Sequence, residues 1–271
     1  MRALLAALLA AVLCLLYACA SQPAAPSSIT EKEMSSMTCD QLTQEQRDFL
    51  EQAGLPCPAD GKLTQRQVSL LETIRTMLDY LEQKYPGQSF TPVGFSSVSP
   101  VRSEDRLYVI PQGGDQKWDL FAVSKATDGT CHDEFAVVWA RGEFSDLAIE
   151  PLRQEYGADA VKAFYNLYQG ENLAFDGTQN ALELLRSDLS AGGTIVICAE
   201  PADAQSRLEA YAQAMAQQGL TLQISVLYTD TEGFARANDD SYMTFYKDPS
   251  MSARFECRVQ ADGQWNVEQL V

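Results

Sequence analysis

Apolar positions along this chain change period several times, and each change marks an element. Leu42-Thr43-Gln44-Glu45-Gln46 and Leu63-Thr64-Gln65-Arg66-Gln67 repeat one pattern 21 residues apart, and Leu50-Glu51 is matched by Leu71-Glu72. Each reads as a capping box, in which a Thr hydroxyl accepts from an early backbone N–H while Gln three residues on reaches back. Two helices therefore start with the same local chemistry. The first, Thr43 to Ala53, stops at Gly54, with Pro56 and Pro58 beyond it. The second sets Leu70, Ile74, Met77, Leu78 and Leu81 on one stripe before Pro86-Gly87. Two copies make a helical hairpin, not a solenoid.

From Ser89 the period becomes that of strands: Phe90–Val98, Arg106–Ile110, Trp118–Ser124 and Glu134–Arg141, with Asp128-Gly129 as a hairpin turn between the last two. Pro151 to Tyr168 returns to a helical pattern, with Val161, Phe164, Tyr165 and Tyr168 on its apolar side. A short helix over Ala181–Leu189, a strand over Gly192–Ala199 and a helix over Pro201–Gln218 follow. Strands over Leu220–Thr229, Ser241–Lys247, Ala253–Val259 and Gln264–Leu270 close the chain, the last pair turned by Asp262-Gly263. The order helix then antiparallel meander occurs in residues 63–141 and again in 201–271. The expected fold is α+β: an N-terminal helical hairpin, then helix-plus-meander units arranged as two pseudo-repeated lobes. The lobes are placed at residues 39–170 and 171–271.

The N-terminus carries one Arg followed by an unbroken apolar run, Ala3 to Ala18, ending at Cys19. A positive start, a short apolar segment and a small residue before the break describe an export signal over residues 1–18. Leu16-Tyr17-Ala18-Cys19 resembles the lipobox of bacterial lipoproteins, although Tyr17 is bulky for its place. That resemblance implies diacylglycerol on the Cys19 sulfur and a protein held at the outer face of the cytoplasmic membrane. Two other readings are weaker. Ala18-Cys19-Ala20 also fits an ordinary signal peptidase site, releasing a chain that starts at Ser21, and a retained anchor would need about 20 apolar residues. Ala20 to Thr38, rich in Ser, Pro and Ala, reads as a disordered tether, so residues 19–38 form the link between membrane and domain.

The net charge of −17 becomes −18 once the signal, with its one Arg, is removed. Binding nucleic acid, anionic headgroups or wall polyphosphate needs clustered Lys and Arg, and no basic run is present. Nucleic acid is therefore excluded as a partner. Cys14 leaves with the signal and Cys19 carries lipid, which leaves Cys39, Cys57, Cys131, Cys198 and Cys257, an odd number. Cys39 and Cys57 flank a helix about 16 Å long. A disulfide needs Cα atoms within about 7 Å, so both flanks would have to fold back along that helix, which argues against the bond. Cys198 ends the apolar run Thr194–Cys198 and reads as a small apolar residue in a buried strand.

Candidate chemistry is sparse. His132 is the only histidine, which removes multi-histidine metal sites. In an extended segment, Cys131 and His132 point to opposite faces, so His132 reads as a surface residue beside a hairpin. Asp230, Glu232, Asp239 and Asp240 concentrate acid in one loop, but the spacing matches no EF-hand, and a solvated loop is favoured over a Ca²⁺ site. No nucleophile elbow, zinc-protease helix, Walker loop or dinucleotide fingerprint occurs. Gly113-Gly114 and Gly192-Gly193 read as turns. No cofactor, metal or catalytic residue is assigned.

The helix running into Tyr85-Pro86-Gly87-Gln88-Ser89-Phe90, with strands ending in Asp133-Glu134-Phe135, resembles uncharacterised lipoproteins of gut-type Gram-positive bacteria over Leu42–Phe164. It is also loosely similar to helix-plus-meander modules of the PepSY kind. Neither resemblance supplies catalytic residues; both imply an extracytoplasmic helper or binding module. The expected function is a non-enzymatic lipoprotein that binds an exported protein or peptide. A small-molecule-binding lipoprotein with a pocket between the lobes, or a hydrolase using paired carboxylates, are the alternatives.

Overall fold

The computed structural model describes residues 37–99, 102–170 and 173–270. The export signal, Cys19 and the tether up to residue 36 lie outside the described residues. The chain divides into two compact units, the first ending at Thr73 and the second beginning at Ile74, inside one long helix. No described helix is long and apolar enough to cross a membrane.

The first unit holds helix α1 (Gln44–Gln52) and the start of α2 (Gln65–Lys84). Both capping boxes form. Thr43 Oγ1 accepts from Gln46 N at 3.2 Å while Gln46 Oε1 accepts from Thr43 N at 2.9 Å, and Thr64 N donates to Gln67 Oε1 at 2.8 Å. Gln67 does a second task, because its Nε2 donates to the carbonyls of Leu55 and Pro56 and pins the loop between the helices.

Against the sequence expectation, Cys39 and Cys57 are joined, with Cα atoms 6.0 Å apart. The chain does fold back along α1. Gly54, at φ +68°, closes a Schellman turn in which Leu55 N donates to Leu50 O and Gly54 N to Glu51 O, reversing the path at the helix end. On the other flank Cys39 N donates to Gly61 O at 2.8 Å, Thr38 bridges Lys62, and Arg47 ties down the carbonyls of Cys39 and Leu42. Thr38, expected at the end of the tether, is thus part of this unit.

The second unit contains the rest of α2 and two sheets. The first sheet is an antiparallel meander whose first three strands, β1 (Phe90–Ser96), β2 (Asp105–Pro111) and β3 (Phe121–Lys125), fall where expected, while its fourth, β4 (Cys131–Asp133), lies before the window expected for it. Asp128-Gly129 makes the β3–β4 turn, with Gly129 at φ +90°. The strand expected over Glu134–Arg141 is instead helical. Helices α3 (Phe135–Trp139) and α4 (Arg141–Phe144), a π turn (Ser145–Ile149) and α5 (Glu150–Tyr156) follow one another. The apolar run at 135–140 suits a strand over that window. What decides is the longer stripe Ala136, Ala140, Phe144, Ala148 and Leu152, spaced by four and fully buried.

The helix expected over Pro151–Tyr168 stops at Gly157, which has φ +99°, and becomes β5 (Val161–Gln169). Val161, Phe164 and Leu167 are buried, and they fall on alternate faces of a strand covered on both sides. Burial every third residue imitates a helix in the sequence.

The second sheet runs β5-β6-β7-β8-β9, with β6 (Leu189–Cys198), β7 (Leu222–Thr229), β8 (Met251–Val259) and β9 (Trp265–Gln269). Helix α6 (Ala181–Ser187) precedes β6, and α7 (Ala204–Gln217) crosses from β6 to β7, which pair in parallel. This is not a second meander, so the two sheets do not repeat one topology. Because β5 already belongs to the second sheet, a lobe boundary at residue 170 does not separate the sheets. The strand expected over Ser241–Lys247 is turns with a 3₁₀ segment at Phe245–Lys247 that follows helix α8 (Thr231–Arg236). Its aromatic residues pack down on the sheet rather than pairing in it. The architecture is α+β, as the sequence implied.

Candidate functional site

The registers of the second sheet set its chemistry in rows. Across one face run Asn166, Gly192, Gln223, Arg258 and Asn266, and beside them Phe164, Thr194, Ser225, Glu256 and Glu268. The opposite face carries Ile195, Ile197, Ile224, Val226 and Cys257, all fully buried. That side is the core, closed by Leu208, Tyr211 and Met215 of α7.

The polar face is covered over half its length. Phe164, Val196 and Leu227 bury against Ala237 and Phe245, with Trp118, Phe234, Tyr242 and Met251 around them. The Tyr242 ring stacks on Phe164 with centroids 5.2 Å apart. Lys162 Nζ fastens this cover by donating to the carbonyls of Phe234 and Ala237 at 2.6 and 2.8 Å. The other half is bare. It forms a groove of about 890 Å³ lined by Tyr168, Ser190, Gly192, Gln223, Ser225, Glu256 and Arg258.

Its floor is preorganised. Glu256, only 8% exposed, accepts from Gln223 Nε2 at 2.7 Å and Ser225 Oγ at 3.1 Å, and Arg258 Nε stands 3.5 Å from its Oε1. Gly192 and Gly193, read as a turn from sequence, lie inside β6 and have separate reasons to be glycine. At 193 a Cβ would collide with the Phe164 carbonyl and come 2.7 Å from Tyr165 Cα, so close pairing with β5 demands its absence. At 192 a Cβ would come 3.2 Å from Cε2 of Tyr168, whose ring leans over the strand while remaining 55% exposed. The sequence signal for this site was Tyr168 and the Gly192-Gly193 pair, which periodicity assigned to the apolar face of a helix and to a turn.

A second polar cluster sits in the first sheet. The Asp133 side chain is 1% exposed and accepts from the Tyr80 hydroxyl, Lys84 Nζ, the Tyr85 hydroxyl and Phe135 N. Burial, and then the Asp133 charge, push both tyrosine hydroxyls far above their ordinary range. Every Asp133 oxygen is engaged, and the cluster ties α2, β4 and the start of α3 together. It is a structural anchor.

The residues singled out from sequence are dispersed. His132 is exposed on β4 with Nε2 3.5 Å from Glu104, while Cys131 Sγ faces the Gly129 carbonyl at 3.9 Å, so the neighbours take different partners. Burial raises the Cys131 thiol. Cys198 is half-buried rather than buried, its Sγ 3.8 Å from Thr231 Oγ1, and Cys257 is in the core. Cys131, Cys198 and Cys257 are free thiols. In the acidic loop Asp230 caps α8 at Gly233 N, Glu232 pairs with Arg236 and Asp239 with Lys117. Among the described residues no three His, Cys, Asp or Glu gather as a metal site. The groove lies within the second sheet, not between two lobes.

No family model matches this chain, and neither does any curated protein. The chain is similar to the crystal structure of a DUF5037 family protein from Ruminococcus gnavus ATCC 29149, at 11% identity and a TM-score of 0.39. That similarity covers 71% of this chain and 94% of the other.

Proposed function

We propose that this chain is a non-enzymatic binding protein of the extracytoplasmic space, held at the outer face of the cytoplasmic membrane by lipid on Cys19. The observation that carries the binding reading is the groove: a preorganised polar floor left open on a sheet whose other half is sealed by aromatic cover. Of the two ligand kinds that the sequence leaves open, a compact polar molecule suits a groove of about 890 Å³, a volume typical of small-ligand sites. Glu256 is the one carboxylate among its lining residues and is held by two donors, so no acid–base carboxylate pair of a hydrolase is assembled there.

The Cys39–Cys57 disulfide supports the compartment, since such bonds persist where the environment is oxidising. A second reading, binding of an exported protein or peptide, rests on β9, which among the described residues pairs with β8 alone and leaves its outer edge open to strand addition except at the Val267 carbonyl, where Gln205 Nε2 donates at 3.1 Å. The test separates the parts. Cys19→Ala is expected to shift the protein from the membrane fraction to the soluble one; retention in the membrane contradicts the lipid tether. Arg258→Ala is expected to abolish ligand capture without changing fractionation; capture unchanged by that variant but lost on altering β9 favours the polypeptide reading.

A further inference from the structure

We propose that the groove on the second sheet binds a short, uncharged saccharide. This rests on the reading of the groove as the ligand site. Three features of the lining select the class. The first is an aromatic ledge. Tyr168, 55% exposed, rests its ring on Gly192, whose missing Cβ lets the ring lie close to the sheet, and the outer side of the ring stays open for a flat ligand to stack with its C–H face. The second is the density of planar and hydroxyl groups. Ser190, Gln223, Ser225, Glu256 and Arg258 stand on three adjacent strands of one face, and together they offer donors and acceptors to neighbouring hydroxyls. Third, the charge is balanced. Glu256 and Arg258 lie within ion-pair distance of each other, so neither is a free counter-charge for an anionic or cationic ligand.

Gln223 and Ser225 fix the Glu256 carboxylate before any ligand arrives, which lowers the ordering cost of binding. A pyranose meets this surface with its apolar face on Tyr168 and its equatorial hydroxyls on Gln223, Glu256 and Arg258.

The test uses the full-length protein in a detergent without a sugar headgroup, titrated calorimetrically with maltotriose, cellotriose and triacetylchitotriose. At least one is expected to bind with Kd between about 10 μM and 1 mM. Tyr168→Ala should weaken it at least tenfold, and Tyr168→Phe, which keeps the ring, no more than about threefold. Tyr168 is exposed, so neither variant should alter thermal stability. Binding by none of the three, or equal affinity in Tyr168→Ala, overturns the saccharide assignment. Native mass spectrometry of the same preparations then separates the two ideas. A non-saccharide adduct lost in Arg258→Ala would leave the groove standing as a ligand site and the saccharide refuted, whereas no adduct together with no calorimetric binding would refute both.

Discussion

The Tyr85 hydroxyl donates to Asp133 Oδ1 at 2.8 Å, joining the end of the long helix α2 to the last strand of the first sheet. Lys84 Nζ reaches the other oxygen of the same carboxylate at 2.7 Å. One acid thereby fixes the α2 terminus, the β4 edge and the first turn of α3. Asp133→Ala would leave Lys84 and two tyrosine hydroxyls without their acceptor, and removing one partner of a buried charge pair costs about 3–5 kcal/mol. Denaturant unfolding should show a loss of that size, and Asp133→Asn a smaller one. A loss below about 1 kcal/mol would mean that the cluster does not anchor the helix.

The disulfide in the first unit closes a loop between residues 18 apart. Cross-linking a loop near this length stabilises by about 3 kcal/mol. Cys39→Ala with Cys57→Ala should lower the stability of the helical hairpin accordingly. In the untreated protein, iodoacetamide should leave both cysteines unmodified; labelling of either without reductant would contradict the bond.

At alkaline pH the folded state should weaken. Burial pushes the Cys257 thiol up to about 12, above its ordinary value of 9.0, and burial likewise raises the Tyr211 and Tyr228 hydroxyls. The folded chain therefore holds protons that the unfolded chain has released, so this stability is complete below pH about 9 and is lost as pH rises towards about 12. Thermal midpoints should be flat from pH 7 to about 9 and fall beyond it. Cys257→Ala should soften the first part of that fall, at the cost of a smaller side chain in the core.

Gly193→Ala is expected to cost about 1–3 kcal/mol, the usual range for overpacking, because β5 must move away from β6 to admit a methyl group beside the Phe164 carbonyl. Gly129→Ala should cost less. Nothing lies within 4 Å of a Cβ there, and only its positive φ of +90° opposes the change.

Much of this architecture was legible where local chemistry decides it. The Thr43–Gln46 and Thr64–Gln67 boxes, the Asp128-Gly129 turn and the first three strands of the meander follow from short-range rules, and so do α6, α7, β6 and β7. The misreadings share one cause, burial imposed by distant partners. Val161, Phe164 and Leu167 are spaced as on a helix because β5 is covered on both faces. Tyr242 and Phe245 look like strand residues because they plug the covered half of a sheet. The candidate site was the least legible part. Tyr168, Gly192, Gln223 and Glu256 meet only through strand register across three pairings, and nothing in their sequence spacing announces it.

Native mass spectrometry of the exported full-length protein, set against its denatured mass, tests the central claim most directly. With maltotriose, cellotriose or triacetylchitotriose added at about 1 mM, extra mass that dissociates on denaturation is expected, and it is expected to be absent from both Tyr168→Ala and Arg258→Ala. A bare protein, or an adduct that survives both substitutions, would contradict a ligand site on the open half of the second sheet.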